Sequence, residues 1–149
     1  MVKCYSQRAP HVATAMVKSV LIADDNAFVR QRLGDLFSRE ADFEVCGEAE
    51  NGRKAVEEAQ ELHPDLILLD LSMPVMNGLE AARALKRLMP EVPIVMFSMF
   101  SAYSDSFTEK EARSAGASAL VSKSKQVSVL VGIARNLVYA TPRDYLSAA

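Results

Sequence analysis

Asp24, Asp25, Asp70, Ser98 and Lys123 all stand at or just past the end of a short apolar run. Val20-Leu21-Ile22-Ala23 runs into Asp24-Asp25, Leu66-Ile67-Leu68-Leu69 into Asp70, Ile94-Val95-Met96-Phe97 into Ser98, and Ala119-Leu120-Val121 into Ser122-Lys123. Three carboxylates, a hydroxyl and an ammonium are the groups that a phosphoryl-accepting site needs. Two carboxylates about 4 Å apart repel by roughly 4 kcal/mol at an effective dielectric of about 20, so a cluster of three calls for a cation. Mg²⁺ suits one or two carboxylates plus waters and a phosphate oxygen. Lys123 supplies a movable point charge for a phosphate, and Ser98 can donate a hydrogen bond to one of its oxygens. One carboxylate can then attack phosphorus and become an acyl phosphate.

Those groups work together only if the chain brings them to one place. Short apolar runs bounded by turn residues and separated by amphipathic stretches predict buried parallel strands alternating with helices. The carboxyl ends of such strands open on one edge of the sheet, where α/β proteins bind ligands. Between the first two strands, Val29, Leu33, Leu36 and Phe37 fall at helical spacing, with Asp25 or Asn26 placed as the cap. Phe43 to Ala49 predicts the second strand, Asn51-Gly52 a turn, and Ala55, Val56, Ala59 and Leu62 the stripe of a second helix that stops before Pro64. Ser72 to Gly78 predicts a loop, followed by a helix with Ala81, Ala82, Leu85, Leu88 and Met89 inward. Met99 to Ala115 is the least orderly stretch. Only Tyr103, Phe107 and Ala112 form a thin stripe there, which predicts a short or mobile helix ended by Gly116. Leu130, Ile133, Ala134, Leu137 and Val138 define the last helix, and Pro142 closes it. The pattern is (βα)5, an α/β doubly wound parallel sheet.

Taken singly, each site residue has an ordinary explanation. Asp25 and Ser98 could cap helices, Asp70 could open a turn, and Lys123 could be a solvated strand end. Their arrival on one sheet edge is what gives them weight.

Bulk properties narrow the classes. The chain has 149 residues, half of them apolar, which suits one domain with a substantial core. Lys3, Arg8 and Lys18 stand in a leading segment without acids, leaving 14 basic against 19 acidic residues elsewhere. That acidic body argues against direct nucleic-acid binding. Cys4 and Cys46 lie far apart and do not form a disulfide framework, which fits a reducing cytoplasm. No window is long and apolar enough to span a bilayer. Met73, Met76, Met96 and Met99 are ordinary core and loop fillers, and His11 and His63 are too isolated for a zinc site. Residues 1–17 are expected to be an extension, or a mis-assigned start ahead of Met16-Val17-Lys18. Residues 18–139 are expected to form the domain, and 140–149 a tail or the start of a linker.

From residue 18 to about 139 the chain resembles a receiver domain of the two-component response regulators. The resemblance rests on Val20 to Asp25, Pro64 to Asp70, Met73-Pro74, Met76-Asn77-Gly78, Ser98, Gly116-Ala117 and Lys123. Gly47-Glu48-Ala49 and Gly116-Ala117-Ser118 are similar to receivers that precede LuxR-type output domains. The resemblance implies a flavodoxin-like (CheY-like) fold of strand order 2-1-3-4-5. It also implies that Asp70 is the phosphoacceptor, and that Mg²⁺ is held by Asp25, Asp70 and the backbone carbonyl of Ser72, with Asp24 helping through water. Lys123 would pair with the acyl phosphate, and Ser98 would move toward it on activation. Ser72 and Phe100 sit where relatives tune dephosphorylation. The implied donor is a phosphohistidine on a sensor histidine kinase or phosphotransfer protein, which makes the chain a self-catalysing substrate and not a conventional enzyme. The implied output surface is the face made by the fourth helix, fifth strand and fifth helix.

Three departures stand out. The usual switch aromatic, three positions before the lysine, is Leu120, so a swinging ring cannot be the readout. The Ser98–Gly116 segment is longer than in familiar relatives by about three residues, a change that surface connections tolerate. Lys123 is followed by Ser124, where many relatives have proline. A docking module that kept the fold without switching is therefore an alternative. A phosphatase is disfavoured because Ser72 stands where such enzymes carry a second aspartate. Tyr145-Leu146-Ser147 resembles the start of a linker to a LuxR-type domain. The sequence leaves open a stand-alone regulator against part of a transcription factor, and whether phosphorylation produces a homodimer.

Overall fold

The computed structural model describes residues 17–98, 105–122 and 127–139. The elements alternate along the chain: β1 (Lys18–Ala23), α1 (Ala27–Ser38), β2 (Phe43–Ala49), α2 (Gly52–Leu62), β3 (Leu66–Asp70), α3 (Gly78–Leu88), β4 (Ile94–Ser98), α4 (Asp105–Ala115), β5 (Ala119–Ser122) and α5 (Val127–Tyr139). The five strands are all parallel, in the order β2-β1-β3-β4-β5. This is the flavodoxin-like arrangement expected from the sequence.

The apolar runs are continuous because helices cover both faces of the sheet. Leu21, Ala23, Ile67, Leu69 and Met96 pack with Ala55 and Ala59 of α2, Ala82 and Leu85 of α3, and Ala112 and Ala115 of α4. Val20, Ile22, Leu66, Leu68 and Val95 pack with Leu33 and Phe37 of α1 and with Leu130 and Ala134 of α5. Alternate residues of one strand thus serve opposite layers, as the period of two requires. α4 is an eleven-residue helix, the same length as α2 and α3, and it packs on the sheet through Ala112 and Ala115, whereas Tyr103 of the expected stripe lies outside the described residues. Gly116 follows it at φ +112, a backbone conformation that glycine adopts readily.

Two local expectations are corrected. Asn51-Gly52 is not a free turn: Asn51 caps α2, its side chain accepting from the Lys54 N–H at 2.8 Å, and Gly52 is the first helical residue. Leu88 is exposed where an inward position was expected. Met89 leaves helical geometry at φ −139 and ψ 66 and packs against the core in its place.

Away from the carboxyl edge, α5 is fastened to the start of β2. Arg135 donates from Nε to Asp42 Oδ2 at 2.7 Å, and from Nη2 to Asp42 Oδ1 at 3.0 Å and Glu40 Oε1 at 2.8 Å. The Tyr139 hydroxyl donates to the Asp42 carbonyl at 3.0 Å.

Candidate functional site

The carboxyl ends of β1 and β3 bring Asp24, Asp25 and Asp70 together. One carboxylate oxygen from each lies within 4.8 Å of the others. Asp70 is the last residue of β3 and Asp24 the first after β1, and both are buried, whereas Asp25 faces solvent. The cluster therefore combines two buried acids with one exposed to solvent.

Backbone interactions hold each part in place. The Asp24 N–H donates to the Ala49 carbonyl at 3.0 Å, and Asp24 Oδ1 accepts from the Asn26 N–H at 2.8 Å. Asn26, not Asp25, is the helix cap, accepting from the N–H groups of Phe28 and Val29. That leaves the Asp25 carboxylate outside the cap. Ser72 is exposed, and its N–H points at Asp70 Oδ1 from 3.4 Å, a long contact.

The loop that carries Ser72 is closed by a capping box at α3. Asn77 Oδ1 accepts from the Glu80 N–H at 2.9 Å, and Glu80 Oε1 from the Asn77 N–H at 3.0 Å. Gly78 and Gly52 let backbones approach one another. Their N–H groups donate to the Leu71 carbonyl at 3.0 Å and the Met76 carbonyl at 2.9 Å. In the same loop the Met76 N–H donates to the Pro74 carbonyl at 2.7 Å, a γ-turn around Val75 at φ 69. An open pocket of about 550 Å³ adjoins the acidic cluster, with Asp25, Ser72 and Asn77 as its polar lining and Leu71, Met73 and Leu79 as its apolar lining.

Ser98 ends β4 and is buried. Its strand neighbour Phe97 pairs with Asp70 in the sheet, so Ser98 lies one residue beyond the Asp70 level on the adjacent strand. Leu120 is half-buried on β5, opposite Met96, and packs into the layer under α2, α3 and α4. Lys123 and Phe100 lie outside the described residues, as do residues 1–16 and 140–149.

The donor set fits Mg²⁺ in kind. It is all oxygen and acidic, the ligand type a hard divalent cation takes, with one carboxylate oxygen from each aspartate within 4.8 Å of the others. Arg30 is a neighbour that the apolar pattern does not announce. One turn into α1, it donates from Nη1 to the Asp24 carbonyl at 2.6 Å and from Nε to Glu48 Oε1 at 3.1 Å. A basic residue four places after the capping asparagine is its only sequence signal.

A five-stranded parallel sheet with helices on both faces and an acidic pocket at its carboxyl edge defines the class. The family model for the response regulator receiver domain matches residues 20–135, and the chain belongs to that family. The chain is similar to the chemotaxis protein CheY of Thermotoga maritima, 46% identical over 83 residues that make up 56% of this chain and 68% of that protein. It is also similar to the protein-glutamate methylesterase/protein-glutamine glutaminase of Alkalilimnicola ehrlichii, 42% identical over 103 residues, 69% of this chain but only 26% of that protein. Among solved structures, the response regulator domain of Thermotoga maritima CheB aligns at TM-score 0.76 and 32% identity, covering 85% of this chain and 99% of that one. A LuxR-family response regulator from Aurantimonas aligns at TM-score 0.75 and 30% identity, covering 81% of this chain and 85% of that one. The chain is thus a receiver domain of two-component signalling. Among the described residues no helix is long and apolar enough to cross a membrane.

Proposed function

We propose that this receiver is a cytoplasmic phosphorylation switch in which Asp70 accepts a phosphoryl group from a phosphohistidine on a sensor histidine kinase or phosphotransfer protein. The observation that carries this reading is the approach of three carboxylates to within 4.8 Å, with Asp70 buried and Asp25 facing solvent. Mg²⁺ would be held by Asp25, Asp70 and the Ser72 carbonyl, with Asp24 acting through water. When bound, the ion offsets the repulsion among the carboxylates and draws charge from the phosphoryl oxygens.

An Asp70 carboxylate oxygen attacks phosphorus, the P–N bond to the donor imidazole breaks, and the imidazole leaves with the electron pair. Burial of Asp70 and Ser98 limits competing water. Ser98 donates to a phosphoryl oxygen and Lys123 neutralises another, while Ser72 and Phe100 set how readily water reaches the acyl phosphate. The output partner, a second copy included, docks on the face of α4, β5 and α5. Whether that partner is a covalently attached effector, as in the methylesterases and LuxR-family regulators, or a separate protein follows from the natural gene.

Incubation with Mg²⁺ and acetyl phosphate tests the reading. The intact mass of the wild-type protein should rise by one phosphoryl group, and Asp70→Asn should show no gain. Leu120 supports one competing reading, because an aliphatic side chain packed into the core layer provides no swinging ring. A static docking module predicts partner affinity unchanged by Asp70→Asn, and a clear difference rejects it.

A further inference from the structure

We infer that Arg30 is a positioning residue for the metal-binding aspartates, a role that rests on the switch reading above. Its guanidinium is bonded at two points. Nη1 meets the Asp24 carbonyl at 2.6 Å, and Nε meets Glu48 at 3.1 Å. The side chain is largely shielded, at 17% exposure, whereas Glu48 is about half exposed. Three different groups of Asp24 are thereby tied to the two flanking elements: its N–H to β2 through Ala49, its carboxylate to the start of α1 through Asn26, and its carbonyl to α1 and β2 through Arg30. The carbonyl of Asp24 belongs to the peptide unit that leads into Asp25, so the Arg30 bond fixes the plane from which the Asp25 side chain departs.

A charge-assisted bond of this length is among the stronger hydrogen bonds a protein makes. Asp25 needs such support because it is exposed and Asn26 takes the capping role. A carboxylate held only by a free turn would spend part of its time away from the ion, and affinity would fall in proportion. Coulomb's law alone predicts the opposite sign. Arg30 is a cation beside a cation site, so deleting its charge should tighten Mg²⁺ binding if charge were its only influence. Positioning and electrostatics therefore separate in the direction of one measurement.

Calorimetric titration of Mg²⁺ into the intact chain, without any phosphodonor, reads that direction. Arg30→Ala should weaken Mg²⁺ binding about five- to tenfold, less than the loss of a full charge-assisted hydrogen bond because water replaces part of it. Arg30→Gln, which removes the charge and keeps a donor, should recover part of the loss. Glu48→Gln should weaken binding less than Arg30→Ala, since the bond to the Asp24 carbonyl remains. In parallel, the amide resonance of Asn26 should shift in Arg30→Ala before any metal is added. Circular dichroism establishes that each variant is folded, and should Arg30→Ala fail to fold, Arg30→Gln compared with Glu48→Gln carries the test. Equal or tighter Mg²⁺ binding by folded Arg30→Ala, or by Arg30→Gln where Ala does not fold, overturns the positioning role. Absence of Mg²⁺ binding by the wild type instead removes the switch reading, and this inference with it.

Discussion

Gly78 packs directly beneath the backbone carbonyl of Asp70: a Cβ built on Gly78 would collide with that oxygen and press on the Cα of Leu71. The start of α3 and the end of β3 therefore touch backbone to backbone at the residue that carries the chemistry. Alanine is normally the better helix residue by about 1 kcal/mol, but overpacking against a backbone costs about 1–3 kcal/mol. Gly78→Ala should destabilise the protein by about 1–2 kcal/mol in urea unfolding and slow Asp70 phosphorylation. Gly132, in α5, meets nothing within 4 Å of its built Cβ. Gly132→Ala should stabilise by about 0.5–1 kcal/mol, and the opposite signs of the two substitutions are the check.

Val75 holds φ 69 in the γ-turn, an unusual conformation for a β-branched residue, and it is exposed. Relief of strain there is worth about 1–3 kcal/mol, against the roughly 0.5–1 kcal/mol that glycine's extra unfolded freedom costs. Val75→Gly should therefore raise the urea midpoint slightly. A lower midpoint would mean that the turn is not strained.

Asp25 is the acid whose charge can be removed with least disturbance, because it is exposed and not part of the helix cap. In EDTA, Asp25→Asn should be more stable than wild type by up to about 1 kcal/mol, solvent screening keeping the gain small. In excess Mg²⁺ the wild type should gain by ligand linkage and the variant much less. The ranking of their unfolding midpoints should narrow or reverse on adding the metal. A parallel gain in both proteins would place the ion elsewhere.

Arg135 and Tyr139 fasten the last turns of α5 to Asp42 and Glu40. The paired carboxylates hold the Arg135 guanidinium protonated still more firmly than usual. Burial first, and then the charge of Asp42, raise the Tyr139 hydroxyl above the ordinary tyrosine range. The folded state keeps that proton more tightly than the unfolded chain does. Its stabilising contribution is therefore complete below about pH 10 and lost as pH climbs through the folded value. Tyr139→Phe should flatten the alkaline limb of the stability profile. Arg135→Ala should cost about 1 kcal/mol, discounted because the pair is partly exposed, and most of it should vanish in an Asp42→Ala background.

The strand ends were legible in the sequence because each apolar run is covered on both faces and stops at a polar residue, which placed Asp24, Asp70 and Ser98 without any coordinates. Features decided by backbone contact were not legible. Asn51-Gly52 has the letters of a turn, yet Asn51 caps α2 and Gly52 is its first helical residue, a glycine because the Met76 carbonyl leaves no room for a Cβ. Leu88 obeys helical spacing and still faces water, since the cap at Met89 supplies the inward side chain. Arg30 escaped an apolar stripe altogether, because its partners, a carbonyl in one loop and a carboxylate on β2, become neighbours only when β1 and β2 pair.

Phosphoryl acceptance by Asp70 is read from the intact mass of the protein after incubation with Mg²⁺ and acetyl phosphate, wild type beside Asp70→Asn and each repeated in EDTA. One added phosphoryl group on the wild type, dependent on Mg²⁺ and missing from Asp70→Asn, is the predicted result. An unmodified wild type, or equal modification of the variant, would contradict the assignment of Asp70 as the acceptor.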